Sequence, residues 1–425
     1  MNLILKGNIC YSKTPVELMT FENSYLICEK GVVKGVFPEI PEEYSCFPVT
    51  DYGSGIIIPG LCDLHIHAPQ YAFRGLGMDM ELLDWLDNYT FPEESKYVEI
   101  DYANMAYDIF TDALRRSATT RASVFATLHT PATILLMEKL ERTGLVTLVG
   151  KVNMDRNCPD ILRSESAEAA CRATKAWIIN TKDRFNNTKP IITPRFIPAC
   201  SNELMTGLKE LQKEFDLPVQ SHLSENISEI AWVKELCPEA VSYADAYNSF
   251  GLFGGRGVPT IMAHCVWSEG REEELIHDNG VYVAHCPQSN MNLSSGIAPV
   301  RRFLEKGIRV GLGSDVAGGC QHSILRAMSD AIQVSKLYWR LIDQNDAPLS
   351  VQEAFYLGTA GGGSFFGKVG SFEEGYEFDA VVIDDSGILS SNPLNPEERL
   401  ARIIYLSDDS CIRDKYVRGK KIELI

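Results

Sequence analysis

Between residues 56 and 315 the chain repeats one alternation. A short apolar run is followed by a longer stretch whose apolar positions recur at helical spacing. The apolar runs are Ile56–His67, Ala118–Leu128, Val146–Val152, Ile191–Ile197, Pro218–Leu223, Thr260–Cys265, Val281–Cys286 and Arg309–Asp315. Continuous apolar runs bounded by turn residues predict strands buried on both faces. The stretches Glu93–Arg116, Thr133–Thr143, Glu165–Thr181, Ser201–Phe215 and Ile297–Lys306 predict helices with one apolar side. Strands that alternate with helices predict an α/β protein, and eight of them a (β/α)8 TIM-like barrel.

The two ends of the chain read differently. Leu3–Ile9 and Ser24–Cys28 are strand-like, Lys30-Gly31 reads as a turn, and Val32-Val33 as a return strand. Asp379–Ile383 and Lys415–Ile422 have the same character. Residues 1–57 and 370–425 are therefore expected to form a small β-sandwich domain beside a barrel of residues 58–369. One long connection, Tyr71 to Pro92, follows the first barrel run, where a loop would wall or cover a site.

A chain of 425 residues is large enough for a barrel and an accessory domain. Its 40 Lys and Arg against 57 Asp and Glu leave a net charge of −17. That surface repels nucleic-acid backbones and anionic membranes, so a neutral or cationic small molecule is the expected partner. Twelve cysteines occur without a C-x-x-C pair, so zinc-ribbon spacing is absent. Met1–Gly7 turns polar too early for a signal peptide, and no run approaches the roughly 20 apolar residues of a membrane span. A cytoplasmic, reducing setting with free thiols is expected.

In such barrels the chemistry sits where strands end and loops begin. His65-Ile66-His67 ends the first run, and residues i and i+2 of a strand share a face, so both imidazoles can reach one metal ion. Arg195-Phe196 end the fourth run, His222 the fifth with Glu225 just beyond it, His264 the sixth, His285 the seventh and Asp315 the eighth. Five of the eight histidines thus fall at strand ends. His129 is expected to shape a loop, His277 to lie on the surface, His285 to hold a turn, and Asp63 to support the site from one pleat deeper.

These residues carry a resemblance. His65-Ile66-His67-Ala68-Pro69-Gln70-Tyr71-Ala72-Phe73, Gly77-Met78-Asp79, Leu82-Leu83-Asp84-Trp85-Leu86, Gly150–Asp155, Thr193-Pro194-Arg195-Phe196 and His222-Leu223-Ser224-Glu225-Asn226 resemble the amidohydrolase superfamily of metal-dependent hydrolases. Within it, they are similar to the guanine deaminases. The resemblance spans most of the chain and is weakest in the terminal β regions. It implies one Zn2+ (or Fe2+, which a His3Asp set also accepts) on His65, His67, His222 and Asp315. It implies His264 beside the attacking hydroxide, Glu225 as proton shuttle and Asp315 as acceptor of the second proton. It implies Gln70, Arg195 and Phe196, with His222, around a purine substrate. The implied reaction takes guanine and water to xanthine and ammonia, and relatives of this kind are commonly homodimers.

Three alternatives stay open at this level. One is a deaminase for another heterocycle, such as a triazine, an oxidised guanine or an adenosine derivative. Another is a cyclic-amide hydrolase with two metals bridged by a carboxylated Lys151. The third is a barrel that has become a non-catalytic scaffold. A deaminase of the P-C-x-x-C type is excluded, because the chain has no such motif.

Overall fold

The computed structural model describes residues 1–255 and 257–424. Eight strands carry the site: β1 (Leu61–His67), β2 (Thr119–Phe125), β3 (Val146–Gly150), β4 (Thr188–Pro190), β5 (Val219–Leu223), β6 (Thr260–His264), β7 (Tyr282–His285) and β8 (Arg309–Leu312). They form two four-stranded parallel sheets, β1-β2-β3-β4 and β5-β6-β7-β8. Backbone hydrogen bonds join the sheets at both edges. On one side Ile192 N donates to Pro218 O (2.9 Å) and Gln220 N to Ile192 O (3.0 Å). On the other, Asp315 N donates to His65 O (2.8 Å) and His67 N to Val316 O (3.2 Å). Residues of all eight strands are almost wholly buried, which is why these runs read as continuously apolar.

The helices between strands follow the sequence closely. Ala167–Thr181 starts on Ser166 and Asn202–Phe215 on Ser201, each side chain accepting from a first-turn backbone N–H. The expected Glu93–Arg116 helix is broken into Phe91–Ser95, a 3-10 turn at Lys96–Val98, and Ile100–Arg116. That break turns the first piece inward towards the site.

Two strand expectations need correction. The run Ile56–His67 is two strands: Val49–Pro59 belongs to the terminal sheet, and Gly60 separates it from β1. A Cβ on Gly60 would lie 2.2 Å from Thr120 Oγ1, so only glycine permits this close crossing. The fourth strand is Thr188–Pro190 and not Ile191–Ile197. Within that run, Thr193–Pro194 pairs with Val152–Asn153 instead.

The chain ends meet in one continuous seven-stranded mixed sheet. Ala380–Ile383 pairs antiparallel with Val49–Pro59, which lies parallel to Leu3–Thr14. A sandwich of two sheets was expected; the hydrogen bonding links all seven strands in a single order. One face of this sheet packs around Leu5, Ile9, Leu26, Ile57, Phe378 and Val382 as a separate core. Its other face, through Ile4, Ile56 and Ile58, is equally buried. Buried Arg121 on β2 joins the two parts: its Nε donates to Asp379 Oδ2 (2.6 Å) and its Nη2 to Glu377 Oε2 (2.8 Å). Among the described residues, no helix is long and apolar enough to cross a membrane.

Candidate active site

The ends of β1, β5, β6 and β8 bring His65, His67, His222, His264 and Asp315 together. His65 Nε2 lies 3.2 Å from His67 Nε2 and 3.1 Å from Asp315 Oδ1. His67 Nε2 lies 3.2 Å from His222 Nε2 and 3.4 Å from Asp315 Oδ1. Four ligand-type atoms therefore face a common centre. With bonds of about 2.0–2.1 Å, a tetrahedral site has edges of roughly 3.3–3.4 Å, close to these separations. Imidazole nitrogens facing one another in a dry interior repel unless a proton or a cation lies between them. Burial, followed by the neighbouring His65, holds both His67 and His222 well below the ordinary imidazole pKa. Neutral imidazoles and an ionised carboxylate are the forms that bind a divalent cation. The residues fit such an ion.

Local backbone aims these groups. His222 Nδ1 donates to Arg195 O (2.6 Å), which leaves its Nε2 lone pair facing the centre. His264 Nδ1 meets Asn290 Oδ1 at 3.0 Å, which turns its Nε2 inward. Ser224, His264 and Asp315 all take positive φ (47°, 75° and 47°), a strained region for non-glycine residues that concentrates at functional sites. Gly313 lets β8 approach β1, since a Cβ there would sit 2.9 Å from His65 Cβ. Asp63 supports this seam as expected. It accepts from Ser314 N (3.0 Å), Ser314 Oγ (2.5 Å) and His65 N (3.1 Å).

Glu225 lies two residues beyond β5, with its carboxyl next to the histidine cluster. Its Oε2 is 3.3 Å from His264 Nε2, and Ser295 Oγ donates to its Oε1 (3.1 Å). Burial, reinforced by nearby Asp315, pushes its pKa well above the usual carboxylate range. Asp315 is also buried, but His65 and then His264 hold it ionised, with its pKa far below that range. Two close carboxyl groups are thus driven in opposite directions, the arrangement that separates proton donor from proton acceptor. A bound dication would oppose the rise at Glu225. Asn226, the next residue, caps the helix Ile227–Leu236 in a capping box with Glu229 and so fixes where Glu225 enters.

Above the cluster is a cavity lined by His67, His222, His264, Glu225 and Asp315 and by Gln70, Arg195, Phe196, Leu82, Trp85 and Leu86. The long connection after β1 supplies Leu82, Trp85 and Leu86, as a wall-forming loop should. Buried Glu94 was not foreseen. Its Oε1 accepts from Gln70 Nε2 (2.9 Å) and its Oε2 from Arg195 Nη1 (2.6 Å). Ser295 and Asn290 were also missed. Ser294-Ser295-Gly296 reads as an ordinary polar loop, and nothing local shows that Ser295 reaches Glu225 or that Asn290 reaches His264.

Three of the four remaining histidines carry expectations from the sequence. His285 ends β7, is fully buried, and has no hydrogen-bond partner on either ring nitrogen among the described residues. Burial pushes its pKa down to about 3. It does not hold its turn by hydrogen bonding; the backbone does, through Asn290 N to Cys286 O (3.1 Å). His277 is exposed beside Asp278, and His129 precedes the helix Thr130–Thr143. Lys151 follows β3, where burial lowers its pKa to about 8.

A family model described as the amidohydrolase family matches residues 56–422. The chain is 40% identical over 385 residues to guanine deaminase of Dictyostelium discoideum, covering 88% of this chain and 84% of that protein. It is 37% identical over 380 residues to guanine deaminase of Homo sapiens, covering 86% and 82%. Among solved structures it is similar to the guanine deaminase from C. acetobutylicum with bound guanine in the active site. That likeness has a TM-score of 0.96 and 48% identity, and covers 100% of both chains.

Proposed function

The chain belongs to the amidohydrolase family, and from that premise we propose that it is a guanine deaminase, hydrolysing guanine to xanthine and ammonia. The observation that carries this reading is the meeting of two donor sets at one cavity. A ligand cluster of three imidazoles and a carboxylate lies on one side, and the purine-matching Gln70, Arg195 and Phe196 on the other. The names of the relatives agree with it. We read the two parallel sheets as halves of one (β/α)8 barrel over residues 58–369, with 1–57 and 370–425 as its accessory β domain.

His65, His67, His222 and Asp315 would hold one zinc ion, or iron in its place. When bound, such an ion shifts water towards hydroxide near neutral pH. The remaining chemistry falls to the chain's own groups. Glu225 Oε2 takes a proton from the attacking water and passes it to the ring nitrogen beside the carbon under attack. Ser295 holds the other oxygen of Glu225, so the shuttle keeps one orientation. His264 Nε2 lies 3.3 Å from Glu225 and 3.7 Å from Asp315 Oδ2, placed to orient the attacking oxygen between them. Asp315 Oδ2 accepts the remaining hydroxyl proton and returns it to the amine. The C–N bond breaks, ammonia leaves with that proton, and the ring nitrogen keeps the first.

Recognition follows from donor geometry. Arg195 offers a planar fork that suits the ring carbonyl oxygen, Gln70 an amide for the purine edge, and Phe196 a face for stacking. An amino group in place of that carbonyl leaves the donors unpaired, a mismatch that can cost on the order of 10⁴-fold in rate. The same reading carries a cytoplasmic homodimer. Its test is direct: purified protein given guanine should release ammonia and xanthine in equal amounts and hold one metal ion per chain. Folded, metal-loaded protein that releases none would defeat it.

A further inference from the structure

We propose that Glu94 is a positioning residue that sets which purines the cavity accepts, by orienting both Gln70 and Arg195. The proposal rests on the guanine-deaminase reading above. Glu94 lies in the short helix Phe91–Ser95, in the connection between β1 and β2. Its neighbour Glu93 is also buried but turns to other partners: it pairs with Lys96 (2.6 Å) and accepts from Tyr102. Glu94 faces inward, and its side chain is 2% exposed.

Its two oxygens take one N–H from each recognition residue. For Gln70 this decides which way the amide lies. A carboxylate can only accept, so the amide nitrogen must face Glu94. At the other end Ala317 N, which can only donate, meets Gln70 Oε1 at 3.2 Å. The amide is therefore fixed from both sides, and its second N–H, which has no partner among the described residues, is left for a ligand. Arg195 is also buried, with its guanidinium 5.2 Å from the centre of the Phe91 ring. With Nη1 committed to Glu94, Nε and Nη2 have no hydrogen-bond partner among the described residues and can serve an acceptor in the cavity. One carboxylate thus turns two side chains into a donor array suited to a purine carbonyl.

Replacing Glu94 with glutamine leaves a single acceptor for two donors. Either Arg195 loses its partner, or Gln70 flips and sets its nitrogen against the Ala317 N–H. Both outcomes weaken or invert the array while leaving the histidine cluster and Glu225 untouched. Glu94→Asp keeps the charge but shortens the reach, so one of the two bonds fails.

The test compares guanine with 2,6-diaminopurine, which has the same 2-amino leaving group and an amino group in place of the carbonyl. For E94Q, KM for guanine should rise about 10- to 100-fold with a much smaller change in kcat, matching loss of a charged hydrogen bond. The preference for guanine over 2,6-diaminopurine should fall at least about tenfold, with metal content unchanged. E94D should move both quantities in the same direction by less, and it decides the matter if E94Q does not fold. Unchanged KM and preference in the folded variants overturn the proposal. So does a loss confined to kcat, which would indicate a general structural role. Wild-type protein inactive on guanine overturns the underlying reading, and this proposal with it; active wild type with unaltered variants overturns this proposal alone.

Discussion

Replacing Glu225 with glutamine isolates the proton shuttle from the rest of the site. The substitution keeps side-chain size and keeps an acceptor for the Ser295 hydroxyl, which lies 3.1 Å from Oε1. The backbone around it is held independently, by the Asn226 capping box and by the left-handed Ser224. The fold and the ligand cluster should therefore survive, and burial that opposes a charged Glu225 is relieved by the neutral amide. What is lost is a group that can take and give a proton 3.3 Å from His264 Nε2. General acid–base catalysis typically supplies 10²–10⁴ in rate, so kcat should fall by roughly that factor, or about 3–5 kcal/mol in the barrier. The assay is initial-rate formation of xanthine from guanine, with metal content and thermal melting measured on the same sample. KM should stay within a few-fold of wild type, because Gln70, Arg195 and Phe196 are unchanged. A folded, metal-loaded E225Q that keeps kcat within tenfold of wild type would refute the shuttle and move proton transfer to another group, Asp315 first.

Chelation should abolish ammonia release and lower Tm, since a ligand bound only to the folded state stabilises it by mass action; an unchanged Tm after verified metal loss would show that the four residues do not hold the ion. Asp379→Asn leaves the buried Arg121 guanidinium without its closest carboxylate and should cost about 3–5 kcal/mol in urea unfolding. A loss below about 1 kcal/mol would show that Glu377 alone satisfies Arg121. Burial raises the Asp409 carboxyl from 3.8 to about 6, against opposing bonds from Ala118 N and Ser323 and the charge of Lys415, so the native state binds its proton more tightly than the unfolded chain. This penalty is absent below about pH 4 and complete above about pH 6, so stability should fall across that window by up to about 3 kcal/mol. Asp409→Asn should flatten the slope; an identical slope in the variant would refute its assignment to this group.

Local patterns made much of this protein legible. Apolar runs alternating with amphipathic stretches identify the strands and helices because burial on both faces of a sheet, or on one side of a helix, is a property of neighbouring residues. The His65-Ile66-His67 pair is legible for the same reason: strand periodicity alone puts both rings on one face. Errors begin where register depends on a distant partner. Ile191–Ile197 is apolar enough for a strand, but β3 pairs with Thr188–Pro190. Ile56–His67 reads as one run, but its halves pair with different sheets on either side of Gly60.

The alternating elements and the shared face of His65 and His67 were determined by the sequence itself, through short-range periodicity; the full candidate ligand set and the candidate purine-binding residues are what its family resemblance implies. Tertiary structure alone decided how the terminal strands join and which polar residues support the site. Glu93 and Glu94 are chemically identical neighbours in sequence, yet one pairs locally with Lys96 and the other bridges Gln70 and Arg195, 24 and 101 residues away along the chain. Ser295 reaches Glu225 across 70 residues. Such contacts depend on chain segments that are distant in sequence and meet only once the sheets have closed around the site.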